Sequence, residues 1–81
     1  MKLPRDLSGA DLAKKLSAFG YRISRQTGSH LRLTTVEHGQ HHITIPNHLS
    51  LRVGTLSGIL ADIAGHFEIS KDQLISELFE N

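Results

Sequence analysis

Tyr21-Arg-Ile-Ser-Arg-Gln26, then Thr27-Gly-Ser29, then His30-Leu-Arg-Leu-Thr-Thr-Val36: this stretch decides the fold. Both outer runs alternate in polarity, the period-two pattern of a strand with one buried face. So short a connection makes the two strands antiparallel neighbours. Gly28 permits the positive φ that a tight reversal often needs, and Ser29 suits the same turn. Tyr21 and Ile23 mark the core face of the first strand, Leu31 and Leu33 that of the second. His30, Arg32 and Thr34 then share the opposite, solvent face. An imidazole therefore stands beside a guanidinium at the end of a rigid element. Imidazole exchanges protons near neutral pH and guanidinium is shaped to hold phosphate, so a small phosphodiester-cleaving enzyme can be built this way.

Working outward, Glu37-His-Gly-Gln40 reads as a turn and His41-His-Ile-Thr-Ile45 as a third strand. Ile43 and Ile45 point inward, while His42 and Thr44 join His30 and Arg32 on the outer face. Pro46-Asn47 ends the sheet. Upstream, Ser8-Gly-Ala-Asp11 has the form of a capping box, opening a helix over about 9–19. Leu12, Ala13, Leu16 and Phe19 form its apolar stripe, Lys14 and Lys15 its outer side, and Gly20 its stop. Downstream, Leu49, Leu51 and Val53 are expected to pack as the chain crosses back over the sheet. Thr55 is the expected N-cap of a second helix carrying Leu56, Ile59, Leu60 and Ile63, with Gly65 ending it. Ser70-Lys-Asp-Gln73 opens a short final helix with Leu74, Ile75, Leu78 and Phe79. The pattern predicts an α+β fold of order α-β-β-β-α, a three-stranded antiparallel sheet with helices on one face and a short extra C-terminal helix.

Eighty-one residues are expected to make one domain. The chain has no cysteine, which excludes disulfides and thiolate chemistry. It has no apolar stretch of membrane-spanning length and no signal-peptide core, so a cytoplasmic protein without membrane partners is expected. The net charge of +1 conceals a division. Residues 1–54 carry eight Lys/Arg, Lys2 among them, against Asp6, Asp11 and Glu37, a balance of +5. Residues 55–81 carry only Lys71 against five acids, a balance of −4. The basic portion points to a polyanion-facing surface and the acidic tail to a separate face.

Five fragments, in order and spacing, resemble the HicA family of small bacterial toxins, the mRNA interferases of type II toxin–antitoxin pairs. They are Lys2-Leu-Pro-Arg-Asp-Leu-Ser-Gly9, Phe19-Gly-Tyr21, Arg25-Gln-Thr-Gly-Ser-His30, His41-His-Ile-Thr-Ile-Pro-Asn-His48 and Val53-Gly-Thr-Leu56. The resemblance implies a fold similar to a double-stranded-RNA-binding domain, in agreement with the element order above. It also implies cleavage of mRNA with the histidine of the Gly-Ser-His motif, here His30, in the active site. A HicB-type antitoxin is the implied protein partner, and the free chain is expected to be a monomer that becomes oligomeric with it.

Metal-free RNA cleavage uses the ribose 2′-hydroxyl as nucleophile, with one group removing its proton and another protonating the departing 5′-oxygen. His30 is the candidate for one transfer; His42, Ser29, a nearby arginine or water remain open for the other. Arg32 is placed to stabilise charge on the phosphate. Ser29 adjoins His30 and is a further RNA-binding candidate, and Arg25, Lys14 and Lys15 are expected to supply diffuse phosphate attraction that weakens with salt. No cofactor or metal is expected: neighbouring His41 and His42 point to opposite strand faces, and no carboxylate cluster suits magnesium. Tyr21 is in phase with the core rather than with a base-stacking surface. Two other functions fit the same sequence: a non-catalytic RNA-binding module using Arg22, Arg25 and Arg32, and a protein-interaction module using the C-terminal helix. Removal of the His30 imidazole separates the first of these from an enzyme, since it would spare binding through phosphates.

Overall fold

The computed structural model describes residues 3–80, so Lys2 lies outside them. The first helix, α1, spans Gly9–Leu16, followed by a 3-10 turn at Ser17–Phe19. Ser8 caps it as its sequence predicts, its hydroxyl accepting the Asp11 N–H at 3.0 Å. Gly20 ends the run at φ 81°, where a β-carbon would meet the side chains of Glu37 and Thr35. Gly9 is constrained differently: a β-carbon there would run into the carbonyl oxygen of Pro46. That close approach seats the start of α1 on the end of the sheet, reinforced by bonds from Gly9 N–H to His48 O and from Leu51 N–H to Leu7 O.

Three strands follow, β1 at Arg22–Gln26, β2 at His30–Thr35 and β3 at His41–Pro46, in the antiparallel order β1-β2-β3. Leu31 opposes Ile45 and Leu33 opposes Ile43, and all four are buried. On the other face His30 opposes Pro46, Arg32 opposes Thr44 and Thr34 opposes His42. The β2–β3 turn places His38 at φ 57° and Gly39 at φ 95°. Two successive left-handed residues match the right-handed twist of the strands they join. The second helix, α2, spans Val53–Phe67, and the third, α3, spans Lys71–Phe79 with Ser70 as its cap. All three helices pack on the Leu31/Leu33 side, burying Leu12, Leu16, Tyr21, Leu56, Leu60, Ile63 and Leu74 in one cluster with the sheet. Each such side chain contributes about 1.5–3 kcal/mol relative to exposure. No described residue packs over the opposite sheet face, which is bare in that sense.

Five local expectations give way. Ile23 keeps the core phase, opposite Leu33, but is 50% exposed. It sits on an edge strand beyond the cover of α1, beside a groove of about 470 Å³ lined also by Ala13, Lys14, Tyr21 and Leu31. Of the three apolar residues on the way to α2, only Leu51 is buried; Leu49 and Val53 face solvent. The α2 helix starts two residues before Thr55, with Arg52 as an N-cap that makes no side-chain bond. It runs past Gly65 to Phe67, and Glu68 takes the left-handed closing position at φ 57°. Gly28 does not have a positive φ, because the reversal it belongs to is built by another residue, Thr27.

Candidate functional site

The bare face is assembled from alternate residues of three strands, and none of those strands contains an aspartate or glutamate. They contain Arg22, Arg25 and Arg32 instead. Arg25 lies directly opposite Arg32, two guanidinium groups on neighbouring strands. Like charges so placed destabilise a sheet. No carboxylate relieves them: among the described residues the ion pairs are His38–Glu68 and His41–Asp62, both elsewhere. Strict alternation from Tyr21 and Ile23 would turn Arg25 inward. A register irregularity between Ile23 and Arg25 inserts Ser24 as an extra residue, so Arg25 emerges on the same face as Arg32.

His30 begins β2 at one end of this face, exposed. Its backbone is held tightly by a residue that the sequence pattern did not single out. Thr27 Oγ1 accepts the His30 N–H at 3.1 Å and the Ser29 N–H at 3.4 Å, while Thr27 N–H donates to His30 O at 2.9 Å. Asn47 N–H donates to Ser29 O at 2.9 Å, tying the turn to the residue after β3. A threonine ahead of Gly-Ser is a former of such side-chain turns, which is the signal that points to it. The imidazole itself has one partner, the Ser29 hydroxyl, 2.9 Å from Nδ1. The Ser29 hydroxyl can accept from Nδ1–H, an arrangement that leaves Nε2 at the surface.

Arg32 follows His30 by two residues on the same face. With Arg25 opposite it, the structure brings together four of the expected site residues: His30, Ser29, Arg32 and Arg25. Lys14 and Lys15 are elsewhere. Both are on α1, in the helical layer behind the sheet; Lys14 lines the groove beside Ile23, and the Lys15 ammonium lies 5.7 Å from the Phe79 ring centroid. His42 is on the bare face but distant. It stands opposite Thr34, four residues from His30 along β2, or about 13 Å at roughly 3.3 Å per residue. A general acid and base each work within about 3 Å of the oxygen they serve. His30 and His42 are therefore too far apart to flank one phosphodiester.

A second set of histidines occupies the other end of the molecule. The Tyr21 hydroxyl donates to His41 Nδ1 at 2.7 Å, and His41 Nε2 faces Asp62 Oδ1 at 3.3 Å. The order hydroxyl–imidazole–carboxylate is that of an activated nucleophile, but the chemistry is wrong. Tyr21 is 1% exposed, and burial first, then the Asp62 carboxylate, pushes its hydroxyl up to about 12. His66 stacks on His41 with centroids 4.4 Å apart and donates from Nε2 to Glu37 O at 2.9 Å. His38 bonds Glu68 at 2.8 Å, joining the two side-chain-bearing residues that hold left-handed backbone at the hairpin tip and the end of α2. This network is structural. No group of three or more possible metal ligands lies together among the described residues, and no described helix is long and apolar enough to cross a membrane.

A family model described as the HicA toxin of bacterial toxin–antitoxin systems matches residues 9–64, from the first residue of α1 into the last turn of α2. No curated protein and no solved structure matches the chain.

Proposed function

This chain belongs to the HicA toxin family, and on that premise we propose that it is a metal-independent endoribonuclease whose single domain cleaves mRNA in the cytoplasm on the bare sheet face. The observation that carries this reading is the exposed His30 imidazole, braced by Ser29 and Thr27, at the end of an acid-free surface with two unpaired arginines. A face that holds like charges opposite each other without a carboxylate is suited to a polyanion, which relieves the repulsion when it binds.

In the proposed reaction Nδ1–H of His30 stays bonded to Ser29 while Nε2 takes the proton of a ribose 2′-hydroxyl. The 2′-oxygen bonds to phosphorus and the P–O5′ bond breaks, leaving a 2′,3′-cyclic phosphate on one fragment. The 5′-oxygen leaves with a proton delivered by water, or by Ser29 as its oxygen takes the Nδ1 proton of the imidazolium. Arg32, assisted by Arg25, stabilises the charge that builds on the phosphate oxygens in between. The toxin–antitoxin context calls for an antitoxin, and a HicB-type protein laid over the same face would block both histidine and arginines.

Purified protein, freed of any co-purifying partner, is incubated with single-stranded RNA in EDTA beside its His30→Ala variant, with both folds checked by circular dichroism. Cleavage by the parent alone is the expected result, and addition of the antitoxin abolishes it. Equal cleavage by both proteins would sink the His30 assignment. RNA bound but uncut by either would favour the non-catalytic binding module.

A further inference from the structure

His42 is tied into a ladder that crosses all three strands of the bare face. Ser24 Oγ contacts Arg32 O at 3.2 Å and Thr34 Oγ1 at 2.8 Å, and Thr34 Oγ1 contacts His42 Nδ1 at 2.7 Å. The direction of these bonds follows from counting protons. A carbonyl only accepts, so the one Ser24 proton goes to Arg32 O. Thr34 must then donate to Ser24, and its oxygen must accept from His42 Nδ1–H. The reverse direction would forfeit the Ser24–Arg32 bond, so only one assignment makes all three contacts hydrogen bonds. It fixes the His42 ring with its proton on Nδ1. Nε2 is left bare on an exposed residue, directed away from the ladder with a lone pair free.

Such an atom accepts a hydrogen bond. It is held at the level of Thr34, about 13 Å along β2 from His30 by the strand rise, too far to touch the same phosphodiester. Arg32 lies between the two histidines along β2, with Arg25 beside it on β1, and both favour a phosphate backbone on that path. We propose that His42 is a second nucleotide-binding position: its Nε2 accepts a hydrogen bond from a nucleotide flanking the one cleaved at His30. This rests on the RNA-cleavage reading above. The donor is an O–H or N–H of that nucleotide, either its ribose 2′-hydroxyl or a base amine. The ladder makes Ser24 and Thr34 positioning residues, since they set the tautomer without touching RNA.

The variant His42→Asn tests this, because its amide can still donate to Thr34 while the outer acceptor is lost. Cleavage of an eight-nucleotide RNA and of a dinucleotide is measured with the parent and the variant, together with binding of the octamer by fluorescence anisotropy in proteins also carrying His30→Ala. For the octamer the variant should raise KM and Kd about fivefold, the size of one hydrogen bond, and leave kcat in place. The dinucleotide, too short to reach His42, should be cut equally by both. Octamers with single 2′-deoxy substitutions identify the donor: if it is the 2′-hydroxyl, one flanking substitution reproduces the loss in the parent and adds nothing in the variant; if it is a base amine, a single base change does so instead. Unchanged KM and Kd for the octamer would overturn the proposal and leave the ladder a purely structural tie. A collapse of kcat on both substrates would overturn it too, placing His42 in the chemistry. Should the parent cut neither substrate, the cleavage reading falls, and the octamer affinities decide the His42 contact by themselves.

Discussion

Two ends of this molecule are rich in histidine and have opposite fates. At the hairpin end His38, His41 and His66 are engaged by Glu68, Asp62, Tyr21, each other and a backbone carbonyl. At the start of β2, His30 touches one serine hydroxyl and otherwise meets solvent. Residue type does not distinguish them; the partners do. His41 is bonded at both ring nitrogens, and His38 and His66 each use Nε2 to tie the hairpin to α2, whereas the one bond of the His30 ring goes to its own neighbour and leaves Nε2 on an uncompensated basic face. The same contrast separates the acids, since Asp62 and Glu68 serve the hairpin end and none is found in the strands.

The comparison breaks most visibly at His30. Its replacement by alanine should lower the RNA cleavage rate by about 10²–10⁴-fold, the range for a general acid–base group. Denaturant melts should meanwhile show stability within about 0.5 kcal/mol of the parent. At the opposite end the large effect is on folding. Tyr21 has its hydroxyl raised from 10.0 to about 12 in the folded chain, so the neutral form is the one the fold favours. Its contribution is complete below pH 10 and is lost as pH rises from there through about 12. Up to about 2–3 kcal/mol disappears across that window. The chain has one tyrosine, so tyrosinate absorbance and thermal melts followed together should report the same transition, and Tyr21→Phe should remove it.

His41→Ala should destabilise by about 1–3 kcal/mol in urea, because it leaves the buried Tyr21 hydroxyl without its acceptor. Cleavage by the folded fraction should persist, the reverse of the His30 outcome. The smallest effect sharpens the argument about charge. Arg32→Gln should raise stability by a few tenths of a kcal/mol by relieving Arg25. It should also weaken RNA binding and reduce its dependence on salt, as titrations at two ionic strengths would reveal.

The sheet and its inner face were legible because alternation is a strong signal where one side is buried. Leu31, Leu33, Ile43 and Ile45 have the phase their sequence predicts, and so do the capping serines Ser8 and Ser70. Edges were less legible. Exposure of Ile23 depends on where α1 stops covering the sheet, which no local pattern records. The ends of α2 depend on Arg52 and Glu68 adopting backbone conformations for which serine or glycine is the usual choice. In the candidate site, His30 was visible from its motif and Arg32 from its face. Thr27, Asn47 and the Ser24–Thr34–His42 ladder were not, because each is defined by a bond between positions that only the fold brings together.

The bulge at Ser24 has one more consequence. An edge strand is a ready template on which another copy can add a strand, and β1 is such an edge. Here the edge is kinked by an extra residue and bears Arg22 and Arg25, so a second β1 laid against it would meet broken spacing and its own charge. The guanidinium groups proposed to hold RNA on this face thus also discourage the chain from stacking on itself. On the proposed function, resistance to aggregation and attraction to RNA become one property of the same strand.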